Sequence, residues 1–145
     1  MTRPVTLQLP LAFVLLAAGG AVYLLLRPQK LLLFRVADGL GLTSQVNRWR
    51  SSVSGVSVPD WTVYCLPDAL WTTAYLLVID CALRDATRQQ RLQAAAVIPT
   101  LGLASELLQG AGLLPGTFDA LDLVAYALPY LIYYIILRTK NDNDL

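Results

Sequence analysis

The sequence predicts an all-α fold: a multi-pass membrane helix bundle with about four transmembrane helices, forming one integral membrane domain over residues 1–145. Composition is the first observation behind that reading. Hydrophobic residues make up 56% of the chain and charged residues 14%, where a soluble domain carries roughly a quarter charged residues. The second is pattern, because long apolar runs alternate with short segments rich in Arg, Pro, Gly or Asp. The third is length: 145 residues leave room for about four crossings of about 20 apolar residues each.

The first run, 7–26, is entered through Pro4 and Pro10 and stopped by Arg27 and Pro28. It is longer than the apolar part of a signal peptide and ends in RPQK without a small-residue cleavage site, so it reads as a retained span. Residues 27–60 form a first loop. Within it Leu42, Val46, Trp49 and Val53 recur at three and four, which suits a short helix lying in the membrane interface, with a solvated loop as the alternative. The second span is 61–83. Pro67 near its start favours a helix beginning close by, so the lipid-crossing part starts near Leu66. Spans three and four are 92–108 and 118–137, each with one internal proline, Pro99 and Pro129, read as kinks. The terminal RTKNDNDL reads as a polar tail.

Arg84, Arg88 and Arg91 lie between spans two and three, and Arg138 and Lys140 follow span four, whereas GAGLLPGT between spans three and four is uncharged. The positive-inside rule therefore places both termini and the second loop in the cytoplasm. The first loop, with Arg27, Lys30, Arg35, Arg48 and Arg50, opposes this, and the hairpin asymmetry is given the greater weight. A net charge of +1 with no histidine provides no basic field for nucleic acid, no histidine base and no imidazole metal site. Cys65 and Cys81 fall on one predicted helix about 24 Å apart, too far to pair, and read as small apolar fillers.

Asp68 begins span two, Glu106 and Gln109 end span three, and Asp119 and Asp122 begin span four. An antiparallel bundle places all five at one membrane face, extracytoplasmic in the favoured orientation. Glu106 and Gln109 are three apart, as are Asp119 and Asp122, so each pair shares a helix side. A structural reading is open for some of them. Asp119 sits where an N-cap belongs, and Asp68 is a first-turn acid favoured by the helix dipole. Glu106 differs, because it lies near the carbonyl end of its helix, where the dipole opposes an anion. An unpaired acid costs roughly 2.5 kcal/mol or more at a helix centre in lipid, and less near the interface. It is expected to line a solvent-reachable pocket, held by Gln109, by Arg48 or Arg50, or by a proton shared with Asp122. More generally the acids need arginines, with Arg35, Arg48 and Arg50 at hand, or a divalent cation, or protonation. Tyr126, Tyr130, Tyr133 and Tyr134 read as interface and packing residues, and Trp61 and Trp71 as interface anchors.

SELLQ, followed about ten residues later by GTFDALDLVAYALP, resembles the closing motif of VanZ-like membrane proteins. There a Glu-x-x-Gln pair precedes a run of the type Arg-x-x-Asp-x-x-Asp-x-x-x-Asn-x-x-Gly. The likeness covers the last third of the chain, and LPDALW, 66–71, adds to it. By that resemblance Glu106, Gln109, Asp119 and Asp122 are the family's polar signature. Gly116 stands where arginine is usual, Tyr126 where asparagine is usual and Pro129 where glycine is usual, which makes this a divergent member. A basic-and-histidine element near the first span is also missing. The resemblance implies four or five spans in the bacterial cytoplasmic membrane and a setting in the cell envelope, where the founding association is lowered susceptibility to teicoplanin. It implies no particular reaction.

Two readings of function follow. In one, the outward-facing carboxylates bind, and in some form act on, a lipid-linked or anionic envelope molecule, with Glu106 and Asp122 the candidates for any chemistry and membrane lipids or a lipid-linked precursor as partners. In the other, a non-enzymatic bundle modulates a partner protein, and the acids cap helices and join spans. Ion passage is disfavoured, because polar residues occupy one half of the bundle only, with Asp80 and Asp85 near the opposite surface. No nucleophile, phosphate-loop or Cys-x-x-Cys motif is present, so neither cofactor nor metal ligand set is assigned.

Overall fold

A computed structural model describes residues 5–28 and 32–142; Pro4, Lys30 and the end of the tail lie outside them. The described residues form seven α-helices and no strand. They are α1 (Val5–Leu26), α2 (Leu32–Gly39), α3 (Thr43–Val53), α4 (Asp60–Tyr64), α5 (Leu66–Ala82), α6 (Arg88–Gly110) and α7 (Ala120–Asp142).

Local sequence explains several boundaries. Pro67 sits in the first turn of α5, where its missing N–H is not needed. Thr87 and Gln90 form a reciprocal capping box at the start of α6, which satisfies two backbone donors that a helix start otherwise leaves open. Within 27–60 the described residues form α2 and α3, and α4 starts at the segment's last residue, Asp60. α3 buries Val46 and leaves Trp49 exposed, as is Leu42 just before it. Arg50 at its end donates to the carbonyls of Leu24 and Arg27 at 2.6 and 2.9 Å, placing a cation on the negative end of α1.

α5 is central: α1, α6 and α7 all pack against it, and α6 also packs on α7. α1 runs antiparallel to α5, because Gln8 near its start bonds Asp80 near the end of α5, while Arg27 just past its end pairs with Asp68 in the first turn of α5. Two glycines permit close approach. A Cβ on Gly19 would fall 2.5 Å from Trp71 Nε1, and one on Gly102 would fall 2.5 Å from the ring of Tyr126. Trp71, expected as an interface anchor, instead lies in the α1–α5 contact, 5.5 Å from the Tyr23 ring between centroids. Leu76, Ala95, Tyr133 and Leu137 form a small core where α5, α6 and α7 meet.

Two stretches, Leu7–Leu26 and Ala120–Thr139, are long and apolar enough to cross a membrane. Only 11% of the first and 17% of the second are buried inside the molecule, so few of their apolar side chains are sealed within it. By length and composition this points to association with a membrane. The expectation of four such helices is met by two: α5 has 17 residues, and α6 carries Arg88, Arg91, Glu106 and four glutamines.

Candidate functional site

Asp68 lies in the first turn of α5, Glu106 and Gln109 near the end of α6, and Asp119 and Asp122 at the start of α7. The helix directions bring these residues to the end of the bundle where α1 terminates. Glu106 is 7% exposed. Its Oε2 accepts the backbone N–H of Asp119 at 3.2 Å, and its Oε1 accepts from Gln109 Nε2 at 3.4 Å. Gln109 Nε2 also donates to Ser105 Oγ at 3.2 Å. The carboxylate therefore rests at the negative end of α6 yet faces the positive end of α7, which offsets the dipole penalty.

Asp119 uses its two oxygens differently. Oδ1 accepts the Leu121 N–H at 2.8 Å, a capping bond at the start of α7, and Oδ2 lies 4.0 Å from Cys65 Sγ, which donates to it. Cys65 Sγ and one carboxylate oxygen each of Asp119 and Asp122 lie within 4.8 Å of one another, close enough for the three to share a cation. Asp122 Oδ1 is buried without a hydrogen-bond partner. Asp68 pairs with Arg27 at 3.9 Å and interacts with the side chain of Tyr126, within electrostatic reach of Asp122 and Glu106.

Among the described residues, Arg27 is the cation of this site. It also donates to the carbonyls of Val63 and Tyr64 and lies over the rings of Tyr23 and Tyr64, 5.1 Å from each centroid. The expected partnership of Glu106 with Arg48 or Arg50 is not formed. Arg50 is spent on the end of α1 and sits over Phe34, while Arg48 and Arg35 are exposed. The cause is the helical path of 32–53, which docks α3 beside α1.

An apolar groove of about 310 Å³ adjoins the cluster, walled by Cys65, Leu66 and Ala69 on one side and by Leu121, Val124 and Leu128 of α7 on the other. Cys65 belongs to both the groove and the acid cluster. The sequence reads it as a filler, since its distance of 54 residues from Asp119 hides the contact. A second polar centre was also missed. At the opposite end Asp80 takes an ion pair from Arg91, a hydrogen bond from Gln8 at 2.9 Å and one from Tyr133 at 3.2 Å. The available signal was a lone acid at the end of an apolar run with Arg91 eleven residues on.

No protein-family model matches the chain, and no curated protein or solved structure matches it.

Proposed function

We propose that the protein is a VanZ-like helix bundle of the bacterial cell envelope in which α1, α5, α6 and α7 cross the membrane and the acid end binds the head group of a lipid-linked envelope molecule. The observation that carries this reading is the continuity, through Cys65, between the carboxylate cluster and the apolar groove along α7. A hydrocarbon chain fits the groove, and its polar head then lies against Asp119 and Asp122.

The charge of the cluster selects the head group. Among the described residues, Asp68, Glu106, Asp119 and Asp122 face one arginine, Arg27, which Asp68 and two carbonyls already hold. Donor-rich heads, such as amines or sugar hydroxyls, suit this better than bare anions. Asp122 Oδ1 is the open acceptor, since a buried polar atom of this kind ordinarily has a partner. Glu106 acts indirectly, by holding Gln109 and the backbone of Asp119. For the crossing itself, α4 and α5 together run about 23 residues, or about 34 Å at helical rise, and α6 is of similar length. The uncharged turn after α6 and the arginines at the other end favour an outward acid end.

The test is binding by the purified chain in neutral detergent of a polyprenyl-linked aminosugar, the aminosugar alone, and a phosphocholine lipid of equal chain length. Selective binding of the first is expected, weakened at least tenfold by Asp122→Asn and by Ala69→Trp in the groove, with unfolding temperatures unchanged. Equal binding of all three, or binding indifferent to both variants, would sink the reading. One observation favours the non-enzymatic modulator instead: Glu106 and Gln109 satisfy each other inside the protein. Silence of both variants in binding and in cells would select it.

A further inference from the structure

At the end opposite the acids, a shallow cleft of about 510 Å³ opens along the first turns of α6 beside α7. Arg88, Gln89 and Gln93 form its polar wall, and Leu92, Ala96 and Tyr130 its apolar side, with no carboxylate in the lining among the described residues. Arg88 and Gln89 come first along α6, Leu92 and Gln93 follow one turn deeper and Ala96 a further turn on, so the lining turns from polar to apolar with depth, as a phospholipid does from head to chains. Arg88 is held in place over the Tyr134 ring, 5.8 Å from the centroid, and its Nε is buried without a partner. Gln89 and Gln93 are exposed, so their amides are free to turn toward a ligand. The helix start is already closed by Thr87 and Gln90, so the side chains, not the backbone, supply the donors.

The surroundings are basic as well. Arg84 and Arg138 belong to the same end, with Asp85 beside Arg84, and Asp80 is occupied by Arg91. We propose that this cleft is a binding site for the phosphate of an anionic phospholipid in the leaflet at that end. Arg88 forms the ion pair, Gln89 and Gln93 donate to phosphate oxygens, and Leu92, Ala96 and Tyr130 contact the upper chain. The proposal rests on α6 and α7 crossing the membrane and is independent of the acid cluster. One arginine at a membrane surface corresponds to about fivefold in affinity for anionic lipid.

The experiment uses the full chain in neutral detergent and reads lipid binding by native mass spectrometry. The probes are phosphatidylglycerol, phosphatidylcholine with the same chains, and glycerol phosphate. Phosphatidylglycerol is expected to bind at least fivefold better than either of the others. Arg88→Gln should erase the preference while Arg84→Gln keeps it, and the exposed pair Gln89→Glu with Gln93→Glu should erase it without touching the Arg88–Tyr134 packing. Asp122→Asn should leave it unchanged, which separates this site from the one proposed above. Equal binding of the two lipids overturns the proposal, as does a loss as large with Arg84→Gln, which would mean a diffuse field. Glycerol phosphate binding as well as the lipid would mean a soluble-anion site only and overturns it too.

Discussion

Glu106 on α6 accepts the backbone N–H of Asp119, thirteen residues further along, at 3.2 Å. A buried carboxylate at the end of one helix thus closes the turn into the next. Glu106→Gln keeps a carbonyl oxygen for that N–H, so the bundle should unfold at nearly the wild-type temperature. Glu106→Ala strips the N–H and Gln109 of their acceptor and should cost about 1–3 kcal/mol, the usual penalty for an unsatisfied buried group. Thermal unfolding in detergent compares the two, and equal losses would mean that charge, not hydrogen bonding, holds the turn.

Asp119 separates capping from recognition within one side chain. Asp119→Asn retains an oxygen for the Leu121 N–H, whereas Asp119→Ala removes it and should cost roughly 0.5–2 kcal/mol. The Asn variant changes the group facing Cys65, so it should keep stability and lose head-group binding. An Asn variant that binds as wild type would leave Asp119 a cap and nothing more.

These contacts show where sequence reasoning reaches and where it stops. Apolar runs and three-residue spacing describe what lies on one helix, which is why Glu106 with Gln109 and Asp119 with Asp122 could be grouped before any coordinates. Contacts between helices depend on register, which single-chain periodicity does not carry. Gln8 to Asp80 spans 72 residues and Cys65 to Asp119 spans 54, so neither was legible. The first loop is legible in part. Its apolar residues at three and four point to one short helix, and α3 forms there; α2 forms beside it, and Arg50 turns to the free carbonyls at the end of α1 rather than to Glu106.

Gly116 gives a sharper case, because the VanZ-like pattern has arginine there. Its φ is +145°, and a Cβ would clash with Gln109 Oε1. The space an arginine would enter is filled by the Gln109 side chain. Gly116→Ala should therefore displace Gln109 from Glu106 and strain the backbone, lowering stability by about 1–3 kcal/mol. Combining it with Gln109→Ala should recover part of the loss, since the clash disappears and only the strain remains. A double variant as unstable as the sum of the two would refute the contact.

Asp80 and Arg91 join α5 to α6 at the other end, with side-chain exposures of 14% and 18%. Removing one partner leaves the other charge poorly solvated. Asp80→Asn alone should cost roughly 3 kcal/mol, the low end for breaking a buried pair because some exposure remains. Asp80→Asn with Arg91→Met should cost less than the sum of the single changes, read from a double-mutant cycle of unfolding temperatures. Strict additivity would show that Gln8 and Tyr133, not Arg91, carry the interaction with Asp80.

Orientation decides which side of the membrane each site serves. The turn after α6 contains Leu113, 71% exposed, and the turn before α6 contains Asp85, also exposed. Leu113 is the better probe than its neighbour Gly112, whose φ of +72° resists a side chain. In a background with Cys65→Ala and Cys81→Ala, a cysteine replacing Leu113 should react with an impermeant thiol reagent on intact cells. One replacing Asp85 should react only after the membrane is opened. This outcome follows from Arg84, Arg88, Arg91 and Arg138 clustering at one end and from the absence of charge in 110–118 at the other. The reverse labelling would place the acid cluster in the cytoplasm and remove its access to envelope molecules, while labelling at both positions would show that α6 does not cross.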